Sequence, residues 1–185
     1  MGDQVIPTIE GSGPWRVAVA DVDASAHFET DRWLRMSASG VGRVSATAEV
    51  SAGVEVVRSA GGLMPRALIG GSFYPQGSAL AIEVGSTGDL TNGAPRGCRS
   101  SFSHPLVTGL PEEFAQAAFE GLGRLVDSLA LPAGILRIYA AGYDEVESSA
   151  LAFEHAASAL GWVIQEMYAP GGLHPRNLVR VLDTW

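Results

Sequence analysis

Lysine is absent from this 185-residue chain, and Cys98 is its only cysteine. The first absence removes lysine Schiff-base chemistry and the lysine of a phosphate-binding loop, and no G-x-x-x-x-G-K-[ST] motif occurs. The second excludes an intrachain disulfide framework and fits a reducing cytoplasm. Positive charge is scarce: 12 arginines face 20 acids, for a formal net charge of −8. Because those arginines are scattered, a general nucleic-acid-binding surface is not expected. No apolar run approaches the ~20 residues that span a bilayer, and the N-terminus lacks a signal-like basic region and apolar core. The expectation is a cytoplasmic protein without a membrane partner.

What is present suffices for one packed domain. With 46% hydrophobic and 17% charged residues, the chain can bury a core without covalent staples. Residues 1–14 end in Gly11, Ser12, Gly13 and Pro14 and read as a flexible N-terminal arm, leaving 15–185 as a single domain. Trp15–Val22 alternates so that Trp15, Val17 and Val19 share one strand face. Strand-like runs at Arg43–Ser51 and Val54–Arg58 flank Ala52-Gly53, which predicts a hairpin turn or, alternatively, one long strand bent at a glycine bulge. Ser59–Gly77 is punctuated by glycine and proline and reads as a loop, with Gly61-Gly62 and Gly70-Gly71 serving positive-φ turns. Ser78–Val84 reads as another strand, and Gly85–Ser103 as loop.

The second half carries the clearest elements. Pro111, Glu112 and Glu113 open a helix whose stripe is Phe114, Ala118, Leu122, Leu125 and Leu129, and Pro132 and Gly134 end it. Leu136, Ile138 and Tyr139 then form a strand, broken at Gly142. Asp144, Glu145 and Glu147 precede a helix cap at Ser148 or Ser149, and Ala152, Ala156, Ala159, Leu160 and Val163 give that helix a small apolar face. This order predicts an α+β fold: a two-layer sandwich of one mostly antiparallel sheet with two helices on one face and a β-α-β unit in the C-terminal half.

Candidate chemistry is sparse. Asp21, Asp23, His27, Glu29 and Asp31 crowd one stretch, but their spacing matches no metal-ligand motif, so a solvated loop and no metal or other cofactor are expected. Cys98 lies between Arg96 and Arg99, whose charge favours a thiolate, and His104 is close enough in sequence to act as its base. A Cys98–His104 nucleophile and base lacks an orienting third group, and an incidental free thiol is the alternative. Met64, Phe73 and Tyr74 form a docking patch if they share the surface, and core if they are buried. His155 and His174 carry no assigned role.

The run AGYDEVESSALAFEHAAS resembles the tip of domain four of elongation factor G and the tetracycline ribosomal protection proteins. There a Gly-Ser-Tyr-His-Asp-Val-Asp-Ser-Ser turn leads into a Leu-Ala-Phe helix. The correspondence carries through Gly142, Tyr143, Val146, Ser148, Ser149, Leu151, Ala152, Phe153, Ala156, Ala157 and Ser158. Upstream, PLVTGLPEEFAQAAFEGL is similar to the family's first helix, and GLHPRNLVRVLDTW resembles its closing strand, so the likeness spans 105–185. It implies the ribosomal protein S5 domain 2-like fold, whose crossover is left-handed where the general rule favours a right-handed one. The family's tip histidine is Asp144 here, and Glu145 follows, so this tip is acidic.

The resemblance implies a stand-alone binding module without GTPase activity, meeting a ribosome or protein through Tyr143, Asp144, Glu145, Glu147, Met64, Phe73 and Tyr74. One alternative is a small-molecule binder or enzyme on the same scaffold, using Cys98 and His104 or the Asp21–Asp31 acids in a cleft beside the sheet. Another is a structural subunit that pairs through a sheet edge.

Overall fold

A computed structural model describes residues 6–10, 13–38, 48–59, 62, 64–87, 97–102, 104–182 and 185. Its strands are β1 (Ile6–Glu10), β2 (Trp15–Ala20), β3 (Arg32–Ala38), β4 (Val50–Arg58), β5 (Arg66–Tyr74), β6 (Leu80–Ser86), β7 (Gly97–Cys98), β8 (Leu106–Thr108) and β9 (Gly134–Tyr143). Its helices are α1 (Glu112–Leu125), α2 (Ala150–Tyr168) and α3 (Pro175–Leu182). The strands lie in the order β1-β2-β4-β5-β9-β6-β3, and β8 joins β7 to the end of β9. Among the described strands only β6 and β9 pair in parallel. The chain between those two contains α1, which makes the β-α-β unit. The architecture is a mostly antiparallel α+β sandwich of one sheet and one helical layer.

Period-two alternation sends one side chain in two toward the helices. From β2 these are Trp15, Val17 and Val19, from β4 Ala52, Val54 and Val56, and from β6 Leu80, Ile82 and Val84, all buried in one core. α2 lies over β4 and β5, and α1 over β6 and β3. The Ser149 hydroxyl caps α2 by accepting from the Ala152 amide at 3.2 Å, satisfying one of the helix's otherwise unpaired donors. The small stripe of α2 is fully buried. Phe153 stacks on Phe114 of α1 with ring centroids 4.6 Å apart. Gly121 lets the two helices approach, since a Cβ there would meet the Glu154 backbone.

Several elements differ from the sequence reading. Residues 6–10 of the expected arm form β1, paired with β2. Ala52-Gly53 is no hairpin turn: both lie inside β4, where Gly53 pairs with Ala20 on one side and Gly70 on the other. Much of the expected Arg43–Ser51 strand lies outside the described residues, as do residues 88–96.

The expected loop at 59–77 contains β5, a strand paired on both edges. Its Gly70-Gly71 pair makes no positive-φ turn. Gly71 instead sits at a register shift against β9, so close that a Cβ would collide with the Arg137 carbonyl. Gly142 does not break β9 but lies within it, leaving room for Cys98 and Leu106. The closing strand is instead α3, which follows two glycines with positive φ, Gly171 and Gly172. Among the described residues no helix is long and apolar enough to cross a membrane.

Candidate functional site

Residues Asp21–Asp31 join β2 to β3, which stand near opposite ends of the strand order, so this segment must cross the sheet. It does so on the face without helices, and glycine marks its track. A Cβ at Gly53 would lie 3.3 Å from the Asp21 carbonyl, one at Gly70 3.0 Å from the Val22 side chain, and one at Gly85 2.8 Å from the Thr30 hydroxyl. His27 bridges Ala140 of β9 midway, and the Asp31 amide donates to the Ser86 carbonyl at 3.0 Å. The strap buries Ala26 while Asp21, Glu29 and Asp31 stay exposed. Among the described residues no three His, Cys, Asp or Glu side chains converge as metal ligands.

Beside the strap a second cover is folded back over the sheet by the short β7–β8 ladder. Ser100 Oγ and the Ser101 amide each donate to the Glu55 carboxylate at 2.6 Å. Between the two covers is a cleft of about 650 Å³, within the roughly 300–1,000 Å³ range of small-molecule pockets. Small residues, Ala18, Ala20, Gly53, Gly70 and Ala140, make up much of its lining beside Leu68 and Val22, and Asp21, Asp23, Arg99 and Glu55 also line it. Glu55 is 1% exposed. Burial holds its carboxyl above the ordinary glutamate range, although Ser100, Ser101 and Arg66 favour the ionised form.

The sequence candidates divide. Cys98 is buried opposite Leu106, and its thiol is pushed up by burial, with Glu55 and Asp23 adding to the shift against a Thr108 hydrogen bond. The expected arginine-activated thiolate is therefore replaced by a sealed, protonated thiol. His104 is exposed, and its role is through its backbone: the carbonyl accepts from Arg66 Nη2 at 2.7 Å. The same guanidinium lies 3.7 Å from Asp144 Oδ2. Arg66 thus gathers His104 and Asp144, while a Cys98–His104 pair has no support.

Asp144 shapes the tip turn. Its Oδ1 accepts from the Val146 and Glu147 amides at 2.9 and 3.0 Å. Ser148 Oγ accepts from the Asp144 amide and donates to the Arg66 carbonyl. Partial burial opposes ionisation of Asp144, but those amides, Arg66 and His104 outweigh it and hold the carboxyl below its usual value. Glu145 and Val146 are exposed, Glu147 is half-buried and Tyr143 is buried.

The proposed docking patch does not form. Phe73 is 0% exposed, against Tyr168 of α2, and its neighbour Tyr74 lies on the other face of the sheet. Met64 is half-buried.

Comparison with known proteins adds no relative. No family model matches this chain, and neither a curated protein nor a solved structure matches it significantly.

The sequence reading missed Glu55, because Val54-Glu55-Val56 alternates like any strand with one wet face. A glycine in each of three strands was the available sign, since strand glycines mark close backbone approach. A second hollow, of about 720 Å³, lies on the helical side between Trp162, His155 and Trp185. There His155 stacks on Trp185 at 4.2 Å, and burial lowers its pKa.

Proposed function

We propose that this protein binds a small molecule, and that the cleft beside the strap is its site. The observation that carries this reading is a pocket of ligand size floored by glycine and alanine, with a buried carboxyl in its wall. Small floor residues keep open a volume that ordinary strand residues would fill. Three acidic side chains, Asp21, Asp23 and Glu55, and one guanidinium, Arg99, are among the residues that line this cleft. A compact ligand with a protonated amine matches that balance, because opposite charge in a partly enclosed site is weakly screened. A cleft that gathers charged side chains around a perturbed carboxyl is a candidate binding site on physical grounds. The proposal includes no reaction.

A panel of small amines and small carboxylates, followed by ligand-observed NMR and calorimetry, tests it. Ala20 lines the cleft from an exposed position, so Ala20→Trp should fill it without loss of stability. Amines should bind the native protein and weaken about tenfold or more in the variant, a loss of about 1.4 kcal/mol or more. Equal binding to both proteins removes the cleft from consideration.

Failure of every amine, together with saturable pelleting of the protein with ribosomes, would move the function to the acidic tip at Asp144, Glu145 and Glu147. That is the place the elongation-factor resemblance implies. The reading stands second because Asp144 is already committed within the fold and Phe73 to the core.

A further inference from the structure

On the other side of the strap the same sheet face carries a cationic cluster in an acidic chain. Arg35, Glu83 and Arg137 stand in register across β3, β6 and β9. Arg137 directs Nε and Nη2 to Glu83 Oε2 at 2.8 and 2.6 Å, and Arg35 directs Nε to Oε1 at 3.1 Å. One carboxylate thus holds two guanidiniums together, with one positive charge left over. The carboxylate is the deeper group: its side chain is 11% exposed, against 39% for Arg137 and 65% for Arg35.

A guanidinium has five N–H donors. These bonds use one from Arg35 and Nε and one terminal nitrogen of Arg137, leaving terminal N–H groups at the surface. Flat surface adjoins them. The Arg137 guanidinium lies over one face of the Trp33 ring, 5.1 Å from its centroid, and in the neighbouring register Tyr139 Oη and Ser72 Oγ share a 2.8 Å hydrogen bond.

We propose that Arg35, Arg137 and Trp33 form a binding site for a small organic oxyanion, a carboxylate or phosphate ester joined to a planar group. Guanidinium forks bind both oxyanions with charge-assisted hydrogen bonds. Glu83 positions them: without it the two cations would repel each other, and with both its oxygens in use it does not consume the whole charge. The planar group would lie against Trp33. Charge complementarity selects this occupant over an amine, which the leftover positive charge repels. The site is separate from the cleft and does not rest on it.

Benzoate, phenyl phosphate and benzylamine are suitable probes, read by NMR of the Trp33 indole N–H and the arginine Nε–H groups and by calorimetry. The indole signal is assigned with Trp33→Phe. Benzoate or phenyl phosphate should move the Trp33 and Arg35 signals saturably, more weakly as salt rises. Arg35→Gln, at an exposed position, should keep the native melting temperature and weaken binding about tenfold. Tighter binding of phenyl phosphate would identify a phosphate ester, and tighter binding of benzoate a carboxylate; either supports the site. Three results overturn it: neither anion moves the Trp33 signal, Arg35→Gln binds as well as the native chain, or benzylamine competes equally. Ala20→Trp, which fills the cleft, should bind these anions normally, so failure of one site is distinguishable from failure of the other.

Discussion

The two faces of the sheet are built from the same strands and solve burial differently. On the helical face, aliphatic and aromatic side chains interlock with α1 and α2, and the core is continuous from Trp15 to Leu178. On the opposite face, glycines let a single strap cross, a short ladder covers Glu55 and Arg66, and open volume remains between the two covers. Close packing gives stability on the first face, and its local absence gives space on the second.

The sharpest test of this difference is to disturb the packing of each face in turn. Phe153→Ala removes a fully buried ring stacked on Phe114, and should cost about 3–5 kcal/mol in urea denaturation. A loss below about 1 kcal/mol would mean that the helical layer is loosely packed. Gly70→Val works on the other face, where its added methyls must displace Val22 and Ala140. It should cost about 1–3 kcal/mol and increase hydrogen exchange in residues 21–31 more than in α2. Uniform loss of protection would show that the strap and helices unfold as one unit, and would erase the distinction.

Legibility in the sequence follows the same division. α1, α2 and β2 could be read because their burial has a local period: Phe114 to Leu122 on one stripe, Ala152 to Val163 on another, Trp15 to Val19 in alternation. β5 was concealed by Gly70 and Gly71, whose usual association with turns reversed their meaning. Their reason is tertiary, residing in Val22 and Arg137, far away in the chain. Likewise, no local pattern around Glu55 announces Ser100 and Ser101, which bury it from 45 and 46 positions downstream. Asp144 and Ser149 were legible as polar groups before a helix. The buried partner Arg66, which turns Asp144 from a contact residue into a structural one, was not.

Glu55 offers the smallest and most discriminating perturbation, because its cost depends on pH. Burial raises its pKa in the folded state, so across the affected range the native chain binds more protons than the unfolded chain. Native stability must then be greatest with the carboxyl protonated, and must fall as pH rises from the unfolded carboxylate range through the raised folded value. Glu55→Gln lacks this ionisation. The stability difference should move in favour of the Gln variant as pH rises, measured by urea denaturation at several pH values. A difference independent of pH would mean that bulk water reaches the carboxylate, making that wall of the cleft ordinary surface. A bound amine should oppose the shift by favouring ionised Glu55, so a saturating amine should flatten the native protein's pH dependence and leave the Gln variant unchanged. That response would separate a charge facing a ligand from a charge that is only buried, which is the distinction between the two faces expressed at one residue.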